Sequence, residues 1–263
     1  MSMRLILTRK PKSRGFAVGE HITYCMDERY SRQTLIRQIG DAGQAKLASS
    51  SVLVAGAGGL GSPALTYLAA AGIGRVGLAD SDTVALSNLN RQFLHNSSDI
   101  GRLKTDSAAE KLANLNNCIE IKIHNVRITD QNAAGIFSGY DLVLGAVDSF
   151  ETRFAINRAC ASLRIPYIDG GINDFSGYVM FSYPPDTPCL NCVFPETAAK
   201  KTTAGALGAT AGVIGTIEAN IALLWLLGLS IPIKNKLLLY DGLRMSIEHI
   251  DIKRNEKCSV CGN

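Results

Sequence analysis

The sequence predicts an α/β protein: a doubly wound, mainly parallel sheet continued by antiparallel strands. Three observations carry that expectation. From residue 51 to 169, short apolar runs alternate with helical patterns, as parallel strands and their crossover helices do. Past Gly170 the alternation stops, and strand-like runs at 178–183, 237–240 and 246–252 surround one long apolar stretch. Two Cys-x-x-Cys pairs flank that stretch.

The chain of 263 residues has room for one large core, or for a domain with an appendage. With 46% hydrophobic and 19% charged residues, its composition is globular. A net charge of +4 is too small to argue for nucleic acid as a partner, and suits an anionic substrate. The apolar stretch 204–229 holds Glu218 and Asn220 near its middle, so it reads as a buried helix pair rather than a membrane span. Residues 1–14 are basic but lack an apolar core and a cleavage site, so no secretory signal is expected. Seven cysteines without such a signal point to a reducing, cytoplasmic setting.

Residues 1–26 form an N-terminal extension of no assigned role, with a short strand at 5–7 and a basic loop at 10–13. The segment 27–47 reads as two helices parted near Gly40. Arg29 and Arg32 stand near its start, where composition alone leaves them as solvated residues. The apolar run 52–55 is a buried parallel strand, and 60–71 is a helix. Between them Gly56, Gly58 and Gly61 fit G-x-G-x-x-G, with Gly59 inside the motif. The motif provides a tight turn, a backbone close to a phosphate and close helix packing, and the helix start adds free N–H groups. Glycine turns also serve packing, so alone the motif says no more than "nucleotide".

A second strand, 76–79, ends at Asp80, 24 residues past the first glycine, near the distance at which a carboxylate can take ribose hydroxyls. The loop 82–92 is polar and carries Asp82, Asn88, Asn90, Arg91 and Gln92. Lys104 opens a helix to 114, and a strand at 119–123 and a helix at 130–137 follow. A fourth strand, 142–148, ends at Asp148; ligands bind beyond the carboxyl ends of parallel strands, so Asp80 and Asp148 should face one crevice. A helix at 151–163 and a strand at 166–169 complete the alternation.

Cys189, Cys192, Cys258 and Cys261 supply the four thiolates of a tetrahedral zinc site, with no position left for water. Such a site is structural and ties the chain's end to the loop before the apolar stretch. Two redox pairs are the alternative. Cys118 and Cys160 read as packing residues, and Cys25 is undetermined.

Taken together, the chain resembles the ThiF/MoeB/HesA family, bacterial relatives of ubiquitin-activating enzymes, over residues 28–262. The resemblance rests on Arg29-Tyr30-Ser31-Arg32-Gln33, the glycine turn, Asp80-Ser81-Asp82 and Ser87-Asn88-Leu89-Asn90-Arg91-Gln92. Gly101-Arg102-Leu103-Lys104, Asp148-Ser149-Phe150-Glu151-Thr152-Arg153 and both cysteine pairs complete it. It implies a Rossmann-like domain over 27–263, with a nucleotide-binding half (27–170) and a zinc-containing, carrier-binding half (171–263). The implied activity uses ATP and magnesium to adenylate the C-terminal carboxylate of a small ubiquitin-like sulfur-carrier protein or a peptide.

Residue by residue, the resemblance implies that Gly56, Gly58, Gly59 and Gly61 cradle ATP and that Asp80 takes the ribose. Asp82, Asn88, Arg91, Gln92 and Lys104 surround the nucleotide, and Asp148 is the magnesium-linked acid. Arg32 would reach the ATP site of the other subunit of a homodimer. These residue types suit the chemistry. A carboxylate is already a nucleophile at neutral pH; the difficulty is bringing one anion onto another as pyrophosphate leaves, which calls for positive potential.

One departure stands out. Several relatives carry a cysteine in the loop before the second-half helix; here 200–205 has Lys201 near that place, and no cysteine lies between Cys192 and Cys258. The protein is therefore expected to stop at the acyl-adenylate or to pass it to another nucleophile, with the roles of Lys200 and Lys201 open. Adenylation of a ribosomal peptide in natural-product assembly is the alternative. A nicotinamide-dependent oxidoreductase also fits the glycines and Asp80, but it has no use for the cationic loop or the cysteine quartet. No membrane or nucleic-acid partner is expected.

Overall fold

Strand β1, Ser51–Ala55, is buried along its whole length, which is why it reads as an uninterrupted apolar run. The computed structural model describes residues 28–196 and 205–262. β1 pairs in parallel with β2 (Arg75–Ala79) on one side and β4 (Leu142–Gly145) on the other. β3 (Glu120–His124) extends the sheet beyond β2, and β5 (Tyr167–Asn173) beyond β4. From β5 onward the pairing is antiparallel, through β6 (Ser176–Ser182), β7 (Lys236–Asp241) and β8 (Ser246–Asp251). The result is one eight-stranded sheet of order β3-β2-β1-β4-β5-β6-β7-β8. Strand order reverses between β1 and β4, the place where open α/β sheets leave a crevice for ligands.

The helices are α1 (Ser31–Thr34), α2 (Gly40–Ser49), α3 (Gly61–Ala71), α4 (Lys104–Leu115), α5 (Ala133–Phe137), α6 (Phe150–Leu163), α7 (Leu190–Val193) and α8 (Gly208–Leu227). Successive β1 side chains point to opposite faces and feed two cores. Val52 and Val54 join Leu65 and Leu68 of α3 and Ile214 and Ile221 of α8. Leu53 and Ala55 join Phe137 of α5 and Phe154 and Ile156 of α6.

The mixed sheet is as the sequence predicts, with four differences in the elements. The stretch expected as a helix pair is the single helix α8, because its internal Gly212 and Gly215 do not break it. Gly215 instead lies against the Leu60 carbonyl, where a side chain would not fit. β4 ends at Gly145, short of Asp148. β5 runs on to Asn173, so position 170 falls inside a strand shared by the two halves. The helix expected from 130 begins at Ala133. Cys160 is buried on α6 as expected. Cys118 is not a packing residue: it is exposed before β3 and disulfide-bonded. The expectations for residues 1–26, including Cys25, and for Lys200 and Lys201 lie outside the described residues.

Among the described residues α8 is the one helix long and apolar enough to cross a membrane, and half of it is buried inside the protein. Glu218, near its middle, is fully buried, and neither carboxylate oxygen has a hydrogen-bond partner. It packs over Gly170, where a Cβ would stand 2.5 Å from its carboxyl carbon. Next to it Arg153 donates to Asp169 (3.0 Å), to the Gly170 carbonyl (2.7 Å) and to the Tyr178 hydroxyl (2.8 Å). Burial, and then the Asp169 charge, push the Glu218 carboxyl well above its usual range, with Arg153 opposing. The folded state thus holds a proton that the unfolded chain gives up above pH 4.5, the ordinary glutamate value. Stability from this site is complete below that pH and falls as pH rises. Denaturant titrations across pH are expected to show that slope flattened in Glu218→Gln. Glu218→Met should gain about 1–3 kcal/mol at pH 7, the usual cost of an unpaired buried polar group.

Candidate active site

The turn from β1 into α3 is built by glycines for two separate reasons. Gly56 has φ +101°, and a Cβ there would overlap the Ala146 carbonyl; a Cβ on Gly61 would overlap the Gly56 carbonyl. These two close the turn. Gly58 is different: the nearest atom to a Cβ built there is Gln92 Nε2, at 3.6 Å, which leaves a cradle open. Among the described residues no protein group accepts the N–H of Gly58 or Gly59. Free amides at a helix start are a ready seat for phosphate.

Asp80 follows β2 and spends part of its carboxylate on this turn. Its Oδ2 accepts the Ala57 N–H (2.9 Å) and its Oδ1 the Asp82 N–H (2.9 Å). Asp82 in turn accepts from Lys104, through Oδ2 to Nζ (2.8 Å) and through its carbonyl to the Lys104 N–H (2.9 Å). Lys104 is buried at the first position of α4, whereas Asp82 is exposed. The loop between carries a 3₁₀ turn, Leu86–Asn88, in which Asn88 Oδ1 accepts the Ala85 N–H (3.1 Å). Arg91 Nη1 donates to the Ser87 carbonyl and to Asn90 Oδ1, both at 3.0 Å, leaving its other donors available. Gln92 is buried beside Gly58, and its Oε1 has no partner, so an acceptor is left over in the cleft.

Asp148 is exposed in the turn after β4, and Ser149 beside it caps α6 by accepting the Thr152 N–H (3.4 Å). β2 and β4 flank β1, so the chain leaves Asp80 and Asp148 beyond strand ends on either side of the glycine turn. The first turns of α8 close over it: Ala211 Cβ is 3.2 Å from a Cβ built on Gly59, and Gly208 lies against the Asn90 carbonyl and Arg91 Cα. Arg32 is not brought into this cleft by any contact; it is exposed on α1 and makes no hydrogen bond or ion pair among the described residues.

Sequence reasoning missed a buried chain of polar groups behind the turn. His95 Nε2 lies 2.9 Å from the Ala57 carbonyl and Nδ1 2.8 Å from Ser107 Oγ. Ser107 Oγ accepts from Lys111 Nζ (2.8 Å), and Lys111 also pairs with Asp99. Burial lowers the pKa of His95; Lys111 and Lys104 add to that, against Asp99 and the Ala57 carbonyl. Burial alone would raise the Asp99 carboxyl, but the Lys111 hydrogen bond and the Asn96 N–H hold it down to about 2. A histidine in a polar loop gives no sequence signal of its own.

At the far end of the antiparallel strands the four cysteines converge, all four sulfurs within 4.8 Å of one another. Cys189–Cys192, Cys189–Cys258 and Cys192–Cys261 are 3.9, 3.6 and 3.4 Å apart. Tetrahedral zinc with Zn–S near 2.3 Å separates sulfurs by about 3.8 Å, so the donor set fits that ion. Burial pushes the Cys189 and Cys192 thiols up. At Cys258 burial is overcome by the N–H groups of Cys261 and Val260 and by the Asn191 amide, which bring the thiol to about 6.

An open glycine turn at the strand-order reversal is the geometry of a nucleotide-binding α/β protein. The ThiF family matches residues 30–260, and the chain belongs to that family. It is 40% identical over 246 residues to the sulfur carrier protein adenylyltransferase of Thermus thermophilus, covering 90% of this chain and 91% of that protein. It is 39% identical over 241 residues to the adenylyltransferase and sulfurtransferase MOCS3 of Culex quinquefasciatus. That match covers 89% of this chain but 55% of the relative, so the chain spans about half of MOCS3. Among solved structures, E. coli MccB with MccA-N7isoASN has a TM-score of 0.81 at 25% identity, covering 90% of this chain and 75% of that one.

The two kinds of glycine are separable by experiment. Gly58→Ala is expected to leave the melting temperature within the scatter of surface changes, about 0.5 kcal/mol, while weakening ATP binding tenfold or more in calorimetry. Gly61→Ala should instead lower stability by about 1–3 kcal/mol or more through backbone overlap.

Proposed function

We propose that this enzyme activates the C-terminal carboxylate of a small ubiquitin-like sulfur-carrier protein as an acyl-adenylate. The carrying observation is the open glycine cradle at the strand-order reversal, with strand-end acids on both sides and a cationic loop above it. The likeness to a sulfur carrier protein adenylyltransferase over nine-tenths of both chains supports the choice of substrate.

In the reaction a carboxylate oxygen of the carrier attacks the α-phosphorus of ATP; the O–P bond forms as the bond to pyrophosphate breaks. No proton has to be removed, so no general base is needed. The Gly58 and Gly59 amides and the start of α3 seat phosphate oxygens, and Gly56 and Gly61 hold the turn in that shape. Asp80 keeps lone pairs for the ribose, with Asp82, Asn88 and Gln92 around the nucleotide. Arg91 and Lys104 offset the charge of the departing pyrophosphate. Asp148 is the exposed carboxylate that suits magnesium, which supplies further neutralisation of phosphate charge when bound.

Arg32, unpaired among the described residues of its own chain, is read as completing the partner's site in a homodimer. The cysteine quartet is read as a structural zinc site, and the cytoplasm as the setting. Neither nucleic acid nor membrane enters this reading. Because no cysteine lies between Cys192 and Cys258, the acyl-adenylate is released or passed on without an enzyme thioester in the loop after α7.

A second reading, adenylation of a peptide, draws on the likeness to MccB, whose structure is titled with MccA-N7isoASN. ATP–pyrophosphate exchange separates the two: carrier-dependent exchange supports the first reading, peptide-dependent exchange the second, and exchange with neither sinks both. In whichever reaction is active, Arg91→Ala is expected to lower kcat/KM by about 10²–10³-fold, the usual loss for one stabilising donor. Metal analysis should find one zinc per chain in the purified protein, and Cys258→Ser should lose it and melt earlier; a metal-free wild type with unchanged melting would remove the zinc assignment.

A further inference from the structure

We propose that His95 is a positioning residue that aims the Gly58 amide at the nucleotide's phosphates, and that Ser107 sets the tautomer in which it does so. The inference rests on the reading of the glycine turn as the phosphate seat.

The argument starts from one peptide plane. The Ala57 carbonyl and the Gly58 N–H belong to the same planar trans peptide and point in opposite directions. Whatever fixes the carbonyl therefore fixes the amide. His95 Nε2 is 2.9 Å from that carbonyl, inside the protein, at 4% residue exposure. On the other side of Ala57, Asp80 Oδ2 takes the Ala57 N–H at 2.9 Å. The two peptides flanking Ala57 are thus each held by one side chain, and the Gly58 N–H is left facing away from His95 with no protein acceptor among the described residues.

The proton's place on the ring follows from the partners. A carbonyl oxygen only accepts, so Nε2 must carry hydrogen. In the neutral ring favoured by burial, Nδ1 is then bare and needs a donor. Ser107 Oγ, at 2.8 Å, supplies it: Lys111 Nζ donates to that oxygen, and the hydroxyl hydrogen turns to the ring rather than to the nearby Asp99 carboxylate, which Lys111, Arg102 and the Asn96 N–H already satisfy. The direction of donation runs from Lys111 to Ser107 to His95 to Ala57. Removing the Ser107 hydroxyl lets the ring take the other tautomer, which would set a bare nitrogen against the Ala57 carbonyl and tilt the peptide. Lys104 and Asp99, the other charged groups acting on the ring, are held by Asp82 and by Lys111.

Three variants test this. Gln at position 95 can present an amide N–H where Nε2 stood, whereas Phe keeps the ring plane and loses the donor; Ser107→Ala removes only the tautomer control. ATP affinity by calorimetry, KM and kcat in exchange, and melting temperature would be measured for each, with ¹⁵N NMR of the imidazole in wild type and Ser107→Ala. The expected result is an Nε2-protonated ring in wild type and a 10- to 100-fold loss of ATP affinity in His95→Phe, the range for partners that orient a binding group. His95→Gln should stay within about threefold of wild type, and Ser107→Ala should lose Nε2–H population and ATP affinity together. Equal ATP affinity in wild type and His95→Phe overturns the inference alone, as does a bare Nε2 in wild type or a Gln variant as weak as Phe. If the Phe variant does not fold, Gln and Ser107→Ala still decide. Wild-type protein that binds no ATP overturns the phosphate-seat reading, and this inference with it.

Discussion

The close passage of α8 over the glycine turn is the constraint on which the site depends. Gly208, Ala211 and Gly215 face Arg91, Gly59 and Leu60 across distances that only small residues allow. A helix contributed by the second half of the chain is therefore pressed against the loop that carries the cationic residues. The same helix packs on β5 and β6, so the turn, the loop and the antiparallel strands share one rigid backing. A longer side chain at 208 or 215 would push that backing off, and the loop would lose its floor before any residue in the cleft was touched.

The cleft is built to hold positive charge ready at little cost in reorganisation. Lys104 rests on Asp82, and Arg91 on a carbonyl and an amide oxygen, so each is aimed and partly compensated before a ligand arrives. Preorganised charge of this kind is what an anion-on-anion reaction requires. Beneath it the buried Arg153–Asp169 pair is braced by Tyr167 at 2.5 Å and Tyr178 at 2.7 Å, with every member hydrogen-bonded. That satisfied network contrasts with Glu218 a few ångströms away, which is buried without a partner.

Much of this was legible in the sequence. Periodicity placed every strand within a few residues, because strands buried on both faces leave continuous apolar runs and the turns between them are marked by glycine and acids. The end of β4 was misjudged because Ala146 and Val147 still look like strand, whereas the chain must leave the sheet there to pass Gly56. The helix pair was misjudged because glycines inside an apolar run suggest a break, and only the packed structure shows that Gly215 serves close approach. The apolar neighbours of Cys118 suggest a core position, yet they belong to the edge strand β3. In the candidate site, the glycines and the strand-end acids are suggested by spacing and chain order, whereas Arg91 and Lys104 are named only through the family resemblance. His95, Ser107 and Lys111 are reached by neither, since they meet only after α4 folds back against the turn.

The cysteine cluster lies where β8 ends, and it fastens that end to the segment after β6. It acts as a clasp around α8, β7 and β8, the last of which is the outermost strand on its side of the sheet. An edge strand has a neighbour on one flank only, so it is the natural place for a sheet to begin to unravel. Opening the clasp would therefore let the molecule peel from β8 inward, reaching the backing of α8 before the parallel strands, and a corner outside the cleft would govern how long the chemistry lasts.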